Sequence, residues 1–171
     1  MSTQPINESA IIVLPNAKEA LQESQKKWGA DLMKAGWTML PNTIFMRQVA
    51  LGLDSMDINI ILVLLSHWWQ ADNLPFPSKK KIADTIGCDP STIRRRIQKL
   101  EAAGFIKRIQ RRVEKNRNKT NQYDFSGLIE CATPYAQEEL QAREAGRDER
   151  AKRVKRKGKP ILKVVDKETS A

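Results

Sequence analysis

The sequence predicts a mainly α-helical protein carrying one small β-hairpin, an α+β arrangement. Three observations predict it. Apolar residues recur at helical spacing in successive runs between Ala17 and about Ala103, with capping residues and glycines at their ends. After Gly104 two segments, "FIKRIQRRV" and "TNQYDFS", have the β-branched and aromatic content of short strands. From Pro134 to about Lys157 the chain is helix-prone again but has almost no apolar face.

In order, residues 1–16 read as a loose arm punctuated by Pro5, Pro15 and Asn16, with "AIIVL" able to pair as a short edge strand. Residues 17–34 form a helix in which Asn16 caps, Leu21, Trp28 and Leu32 fall near one face, and Gly36 ends the pattern. "WTMLPNTIFMRQVALGL" is apolar and irregular, and is expected to be a short strand and then a helical turn against the main domain. "DSMDINIILVLLSHWWQ" starts with Asp54 or Ser55 as cap and places Ile58, Ile61, Leu62, Leu65 and Trp69 at helical spacing, which predicts a strongly buried helix. The loop "ADNLPFP" follows. Ser78 then precedes "KKKIADTIG", a short helix with Ile82 and Ile86 inward and Gly87 at its carboxyl end. Asp89 caps the next helix and Pro90 takes its first position, where a missing N–H costs nothing. That helix runs to about Ala103. The hairpin comes next, its strands joined by the polar, positively charged "EKNRNK". In the final helix Glu139/Arg143, Asp148/Lys152 and Glu149/Arg153 are spaced to pair. Its end, "RAKRVKRKGK", is expected to be a flexible basic tail.

Charge is distributed unevenly. Residues 1–54 carry five basic and five acidic side chains, residues 55–130 fourteen and eight, and residues 131–171 eleven and seven. The whole net charge of +10 therefore lies after residue 54, which points to a polyanionic partner. Two cysteines, Cys88 and Cys131, and one histidine, His67, do not make a standard zinc site. The opening residues do not read as a signal peptide, and the longest apolar run, Ile60–Leu65, is far short of a membrane span. A reduced cytoplasmic setting with no membrane contact is the expectation.

The segment "SKKKIADTIGCDPSTIRRRIQKLEAAGFIKRI" resembles the winged helix-turn-helix families of bacterial, phage and plasmid DNA-binding proteins. The resemblance rests on Ile82 and Ala83, on Gly87 in the turn, on Ser91, Thr92 and Ile93 opening the second helix, and on Leu100, Gly104, Phe105 and Ile106. It covers roughly residues 55–125. It implies a fold in which one helix enters the major groove and a hairpin wing touches the backbone or minor groove.

The helical wheel agrees. With Ile93 at zero and about 100° per residue, Ile97 falls near 40° and Leu100 near −20°, so these three form the buried seam. Ser91, Arg95, Gln98 and Ala102 lie opposite, Arg94 and Lys99 flank them, and Arg96 sits near the boundary. Arginine reads guanine O6 and N7 as a bidentate fork, the expectation for Arg94 and Arg95, while Gln98 suits adenine or the backbone. Ser91 and Thr92, at the helix start, suit phosphate oxygens. Arg96 is expected to reach back along the backbone. An arginine run is more often only a solvated face, but the motif around this one favours contact.

Two further basic elements join it. Arg111, Arg112, Lys115, Arg117, Asn118 and Lys119 bracket the wing loop, and charges of a single sign are more than edge protection requires. Lys79, Lys80 and Lys81, after Ser78, oppose the dipole of the helix they begin, so phosphate anchoring explains them better than stability does. Other residues carry less. His67 has no apparent catalytic partner in sequence, one of Trp68 and Trp69 belongs in the core, and Cys88 is a small filler. "GKP" at 158–160 lacks the glycine-rich stretch of a phosphate loop. No cofactor, metal or catalytic role is expected.

The sequence thus predicts a sequence-specific double-stranded DNA-binding protein acting as a transcriptional regulator, cytoplasmic and nucleoid-associated. Residues 1–53 are expected to provide a homodimer or partner interface, 54–130 the DNA-binding domain, and 131–171 a polar helix and basic tail where a protein partner docks. The alternative is a plasmid or phage replication-initiation or helicase-loading accessory protein using the same winged helix.

Overall fold

The computed structural model describes residues 17–113, 117–118 and 120–156. The expectations for the arm at 1–16, for Lys115 and Lys119, and for the tail beyond residue 156 lie outside the described residues. Among the described residues seven helices occur in the order α1 (Ala17–Trp28), α2 (Ala30–Ala35), α3 (Asn42–Met46), α4 (Ser55–Leu65), α5 (Lys79–Ile86), α6 (Pro90–Ala102) and, after the wing, α7 (Ser126–Lys155). The wing comprises β1 (Lys107–Ile109), β2 (Arg112–Val113), β3 (Arg117–Asn118) and β4 (Gln122–Asp124). It is an antiparallel hairpin in two segments, β1 pairing β4 with Arg108 opposite Tyr123, and β2 pairing β3. The Tyr123 N–H also donates to Pro75 O at 2.9 Å, which ties the chain before α5 to the base of the wing.

α4 is the centre of the core. Ile58, Ile60, Ile61, Val63 and Leu64 are all buried, so the helix is apolar nearly all round and is enclosed by its neighbours. Its start is a full capping box: the Asp54 carboxylate accepts from Met56 and Asp57 N–H, and the Asp57 carboxylate accepts from Asp54 N–H. It stops at Leu65, short of Trp69, because the Ser66 hydroxyl donates to Val63 O at 2.8 Å and His67 Nδ1 lies 2.9 Å from the same oxygen. Trp69 therefore leaves the helical face and is 69 % exposed, while Trp68 packs on the core and stacks against Phe125 with ring centroids 5.5 Å apart.

α5 and α6 pack on α4 through Ile82, Ala83, Ile93, Ile97 and Leu100. Between them Gly87 adopts φ +78°, a left-handed cap that closes the turn in a conformation side-chain-bearing residues disfavour. Phe105, Ile106, Tyr123, Phe125 and Leu128 complete the same core.

Besides the early end of α4 and the basic segment from Arg150, which is helical as far as Lys155, three local expectations change. The helix over 17–34 is broken at Gly29 into α1 and α2. The strand expected near Trp37 is absent; the chain instead forms α3 after Pro41, burying Ile44. The last helix begins at Ser126, eight residues before Pro134, since the Asp124 carboxylate accepts from Ser126 N–H at 2.9 Å and Leu128 and Ala132 bury against the core. Glu139 takes its expected partner Arg143 and also accepts from Arg47 at 3.3 Å, joining α7 to the chain after α3.

Candidate nucleic-acid interface

α6 is held by its apolar side. Ile93 and Ile97 have no exposure and Leu100 has 1 %, as the wheel requires, and Ser91, Arg94, Arg95, Gln98 and Lys99 are exposed. Asp89 caps the helix through Ser91 N–H at 2.7 Å, while its carbonyl accepts from Thr92 N–H at 3.0 Å. The Asp89 carboxyl lies below the usual range, first because the Ser91 hydroxyl and N–H both donate to it and then because the Arg95 charge is near. The first N–H groups of α6 are thus occupied by the protein itself. The Ser91 hydroxyl is likewise given to Asp89, so what the start of α6 offers a phosphate is the Thr92 hydroxyl.

The cations of α6 divide between its flanks. On one flank Arg94 stands near Lys79, the first residue of α5, and near Arg108 of β1. Lys79 is half-buried, and its ammonium is pushed down by burial first and then by the charges of Arg108 and Arg94. Arg108 is itself paired with Glu101, Nε to Oε2 at 2.7 Å. Lys80 and Lys81 are exposed beside Lys79, and Ser78 caps α5 by accepting from Lys81 N–H at 3.1 Å. On the opposite flank Arg96 and Lys99 reach the start of α4. Arg96 bonds the Asp54 carboxylate, and Lys99 Nζ lies 2.7 Å from Asp57 Oδ2. Arg94 and Arg95 form no ion pair within 4 Å among the described residues.

At the wing, Arg111 is half-buried, its guanidinium 4.3 Å above the Phe76 ring and its Nε donating to Thr120 O at 3.2 Å. Arg112 and Asn118 face each other across the β2–β3 ladder, and Arg117 is opposite Val113. The structure therefore brings α6, the start of α5 and the wing base to one basic side. It also reveals four residues that sequence reasoning left out of the site: Asp54, Asp57, Glu101 and Arg108. The signal for the first two was present as the acidic capping box, but their distance from α6 in sequence concealed the contact.

Residues 51–106 match the helix-turn-helix domain family. That span holds α4, α5, α6 and the turns between them, so the matched segment supplies the α5 and α6 part of the basic side. No curated protein sequence matches the chain. Among solved structures, the chain is similar to the N-terminal domain of DnaD protein from Geobacillus kaustophilus HTA426, with 18 % identity, TM-score 0.48, and 73 % of this chain and 96 % of that one covered. It is also similar to a MarR/EmrR family transcriptional regulator from Acinetobacter sp. ADP1, with 21 % identity, TM-score 0.37, and coverage of 82 % and 94 %. The helix-turn-helix domain, extended by the hairpin, has the order of a winged helix: α4, α5, α6, then the wing. In the matched span the second helix of the helix-turn-helix motif is α6. Among the described residues no helix is long and apolar enough to cross a membrane. No group of three or more His, Cys, Asp or Glu among them is placed to hold a metal ion.

Proposed function

We propose that the protein is a sequence-specific double-stranded DNA-binding transcriptional regulator of the cytoplasm, associated with the nucleoid. One observation carries the reading: Arg94, Arg95 and Gln98 project from the solvent face of the second helix of a helix-turn-helix domain, with no carboxylate paired to either arginine among the described residues. Arg94 and Arg95 read guanine edges in the major groove and Gln98 reads adenine or touches the backbone. The hydroxyls of Ser78 and Thr92 and the ammonium groups of Lys79, Lys80 and Lys81 hold phosphates, and the Ser91 hydroxyl joins them by turning from Asp89 to the phosphate. Lys79 suits this role, because a half-buried cation beside two others is relieved by an anion. The wing, through Arg111, Arg112, Lys115, Arg117, Asn118 and Lys119, follows the backbone or the minor groove.

A single winged helix reads few base pairs, and a two-fold dimer doubles the site. We assign the dimer contact to the N-terminal region. Trp28 and Leu32, on α1 and α2, are 65 % and 63 % exposed, which favours a second copy as their cover.

The test is binding measured by fluorescence anisotropy on duplex DNA, single-stranded DNA and duplex RNA across a salt series, with selection and sequencing of a random duplex pool. The wild type is expected to bind duplex DNA best and to enrich one motif. Arg94→Ala and Arg95→Ala should each lose about 1–3 kcal/mol on that motif. Flat binding across the three nucleic acids, or a double variant equal to wild type, would overturn the reading.

A further inference from the structure

The arginine run on α6 serves two destinations. Arg94 and Arg95 face solvent, whereas Arg96 and Lys99, on the other flank, are taken by two carboxylates at the start of α4. Arg96 Nη1 bonds Asp54 and lies 3.4 Å from Asp57 Oδ1; Lys99 Nζ lies 2.7 Å from Asp57 Oδ2 and 3.6 Å from Asp54 Oδ2. The two acids and two cations form a neutral quartet. The side chains of Arg96 and Lys99 are still 33 % and 49 % exposed, within reach of water, but the Asp57 side chain has no exposure.

We infer that Asp54 and Asp57 set the specificity of the domain by withholding Arg96 and Lys99 from the DNA backbone. The inference rests on the reading of α6 as the helix that contacts DNA. Affinity for any duplex comes from counterion release, and each phosphate a protein neutralises adds about 0.9 to the slope of log K against log salt. A recognition helix with four unpaired cations would hold every sequence tightly. Discrimination is the difference between specific and non-specific binding, so holding two cations back improves it without a new base contact. The device does not relax when DNA arrives. Drawing Arg96 and Lys99 to phosphates would leave the Asp57 carboxylate buried and unpaired, which costs far more than an exposed phosphate contact returns.

The experiment compares wild type, Asp54→Ser, Asp57→Asn, Arg96→Ala and Arg95→Ala on one mixed-sequence duplex across a salt series, and on the duplex enriched by selection. Circular dichroism verifies the fold. Serine keeps a side-chain cap on α4 without the charge, and asparagine keeps an acceptor for the Asp54 N–H. Asp54→Ser is expected to steepen the salt slope on mixed-sequence DNA by about 0.9, and Asp57→Asn by up to about 1.8, as one or two cations are released. The ratio of specific to non-specific affinity should fall in both, while Arg96→Ala should leave the wild-type slope unchanged. A merely structural role for the quartet would lower stability without moving the slope. Unchanged slopes in the Asp variants, or an Arg96→Ala slope shallower by about 0.9, would therefore overturn the inference while Arg95→Ala still weakens binding. If the Asp variants do not fold, the Arg96→Ala slope decides. Should Arg95→Ala bind like wild type, the reading of α6 itself has failed, and the inference falls for that separate reason.

Discussion

Gly127 approaches Gly104 so closely that a Cβ on Gly127 would lie 1.8 Å from the Gly104 carbonyl oxygen. The same contact is stitched by Leu128 N–H, which donates to Phe105 O at 2.9 Å. The first turn of α7 thus seats directly on the turn that links α6 to the wing, backbone against backbone, where no rotamer change can make room. Gly127→Ala is expected to lower unfolding stability by about 1–3 kcal/mol or more in urea. Gly146→Ala, on the same helix with nothing within 4 Å of the new Cβ, should instead raise far-ultraviolet helicity without loss of stability. Equal effects of the two variants would mean that α7 does not seat on that turn.

Neighbouring residues of α6 should separate stability from binding. Ile97 has no exposure, so Ile97→Ala is expected to cost about 2–5 kcal/mol and Ile97→Val about 0.5–1.5 kcal/mol. Gln98 is exposed, and Gln98→Ala should change stability by less than about 0.5 kcal/mol while weakening binding to the selected duplex. Denaturant midpoints and anisotropy titrations on the same preparations check both. A stability loss at Gln98 comparable to that of Ile97→Ala would place the wrong face of α6 against the core.

Why these faces were legible follows from how local the signals are. Asp89, Pro90, Ile93, Ile97, Leu100 and Gly104 specify where α6 starts, which way it faces and where it stops, all within a few turns of one another. Ser78 and Gly87 do the same for α5. Features that depend on distant chain were hidden. Arg96 and Lys99 look like any exposed cations until Asp54 and Asp57, about forty residues earlier, are folded beside them. The end of α4 at Leu65 depends on Ser66 and His67 turning back to Val63 O, which apolar periodicity through Trp69 conceals. Pro134 was a poor marker for α7, because the buried Leu128 and Ala132 fix that helix from its first turns.

Carboxylates at helix starts give stability a definite pH dependence. The Asp54 carboxyl is held below its ordinary value, chiefly by the N–H of Asp57 and then by the Arg96 guanidinium, and the Asp89 carboxyl is held low by Ser91. A depressed folded value contributes stability above the unfolded value of about 3.9, lost as pH falls through the folded value. Lys99 is shifted upward, first by its hydrogen bond to Asp57, so its contribution is present below about 10.4 and is lost as pH rises through the higher folded value. Urea midpoints should therefore be flat near neutrality and fall at both extremes. Asp54→Ser/Asp89→Ser should flatten the acid limb, and an acid limb unchanged in that variant would mean the two caps are not formed in solution.

The N-terminal helices supply the remaining prediction. Trp28 and Leu32 are large, apolar and mostly exposed on helices that follow one another closely, a costly arrangement for a monomer. Neither residue is buried against the core, so replacing them should leave the core and the cap of α6 intact. Trp28→Lys/Leu32→Lys is expected to convert a dimer to a monomer in sedimentation equilibrium while the near-ultraviolet signal of Trp68, stacked on Phe125, persists. On a selected palindromic duplex, binding should weaken and lose its dependence on the second half-site, because each monomer then holds one half alone. A wild-type protein that sediments as a monomer, or a variant that remains dimeric, would remove α1 and α2 from the interface.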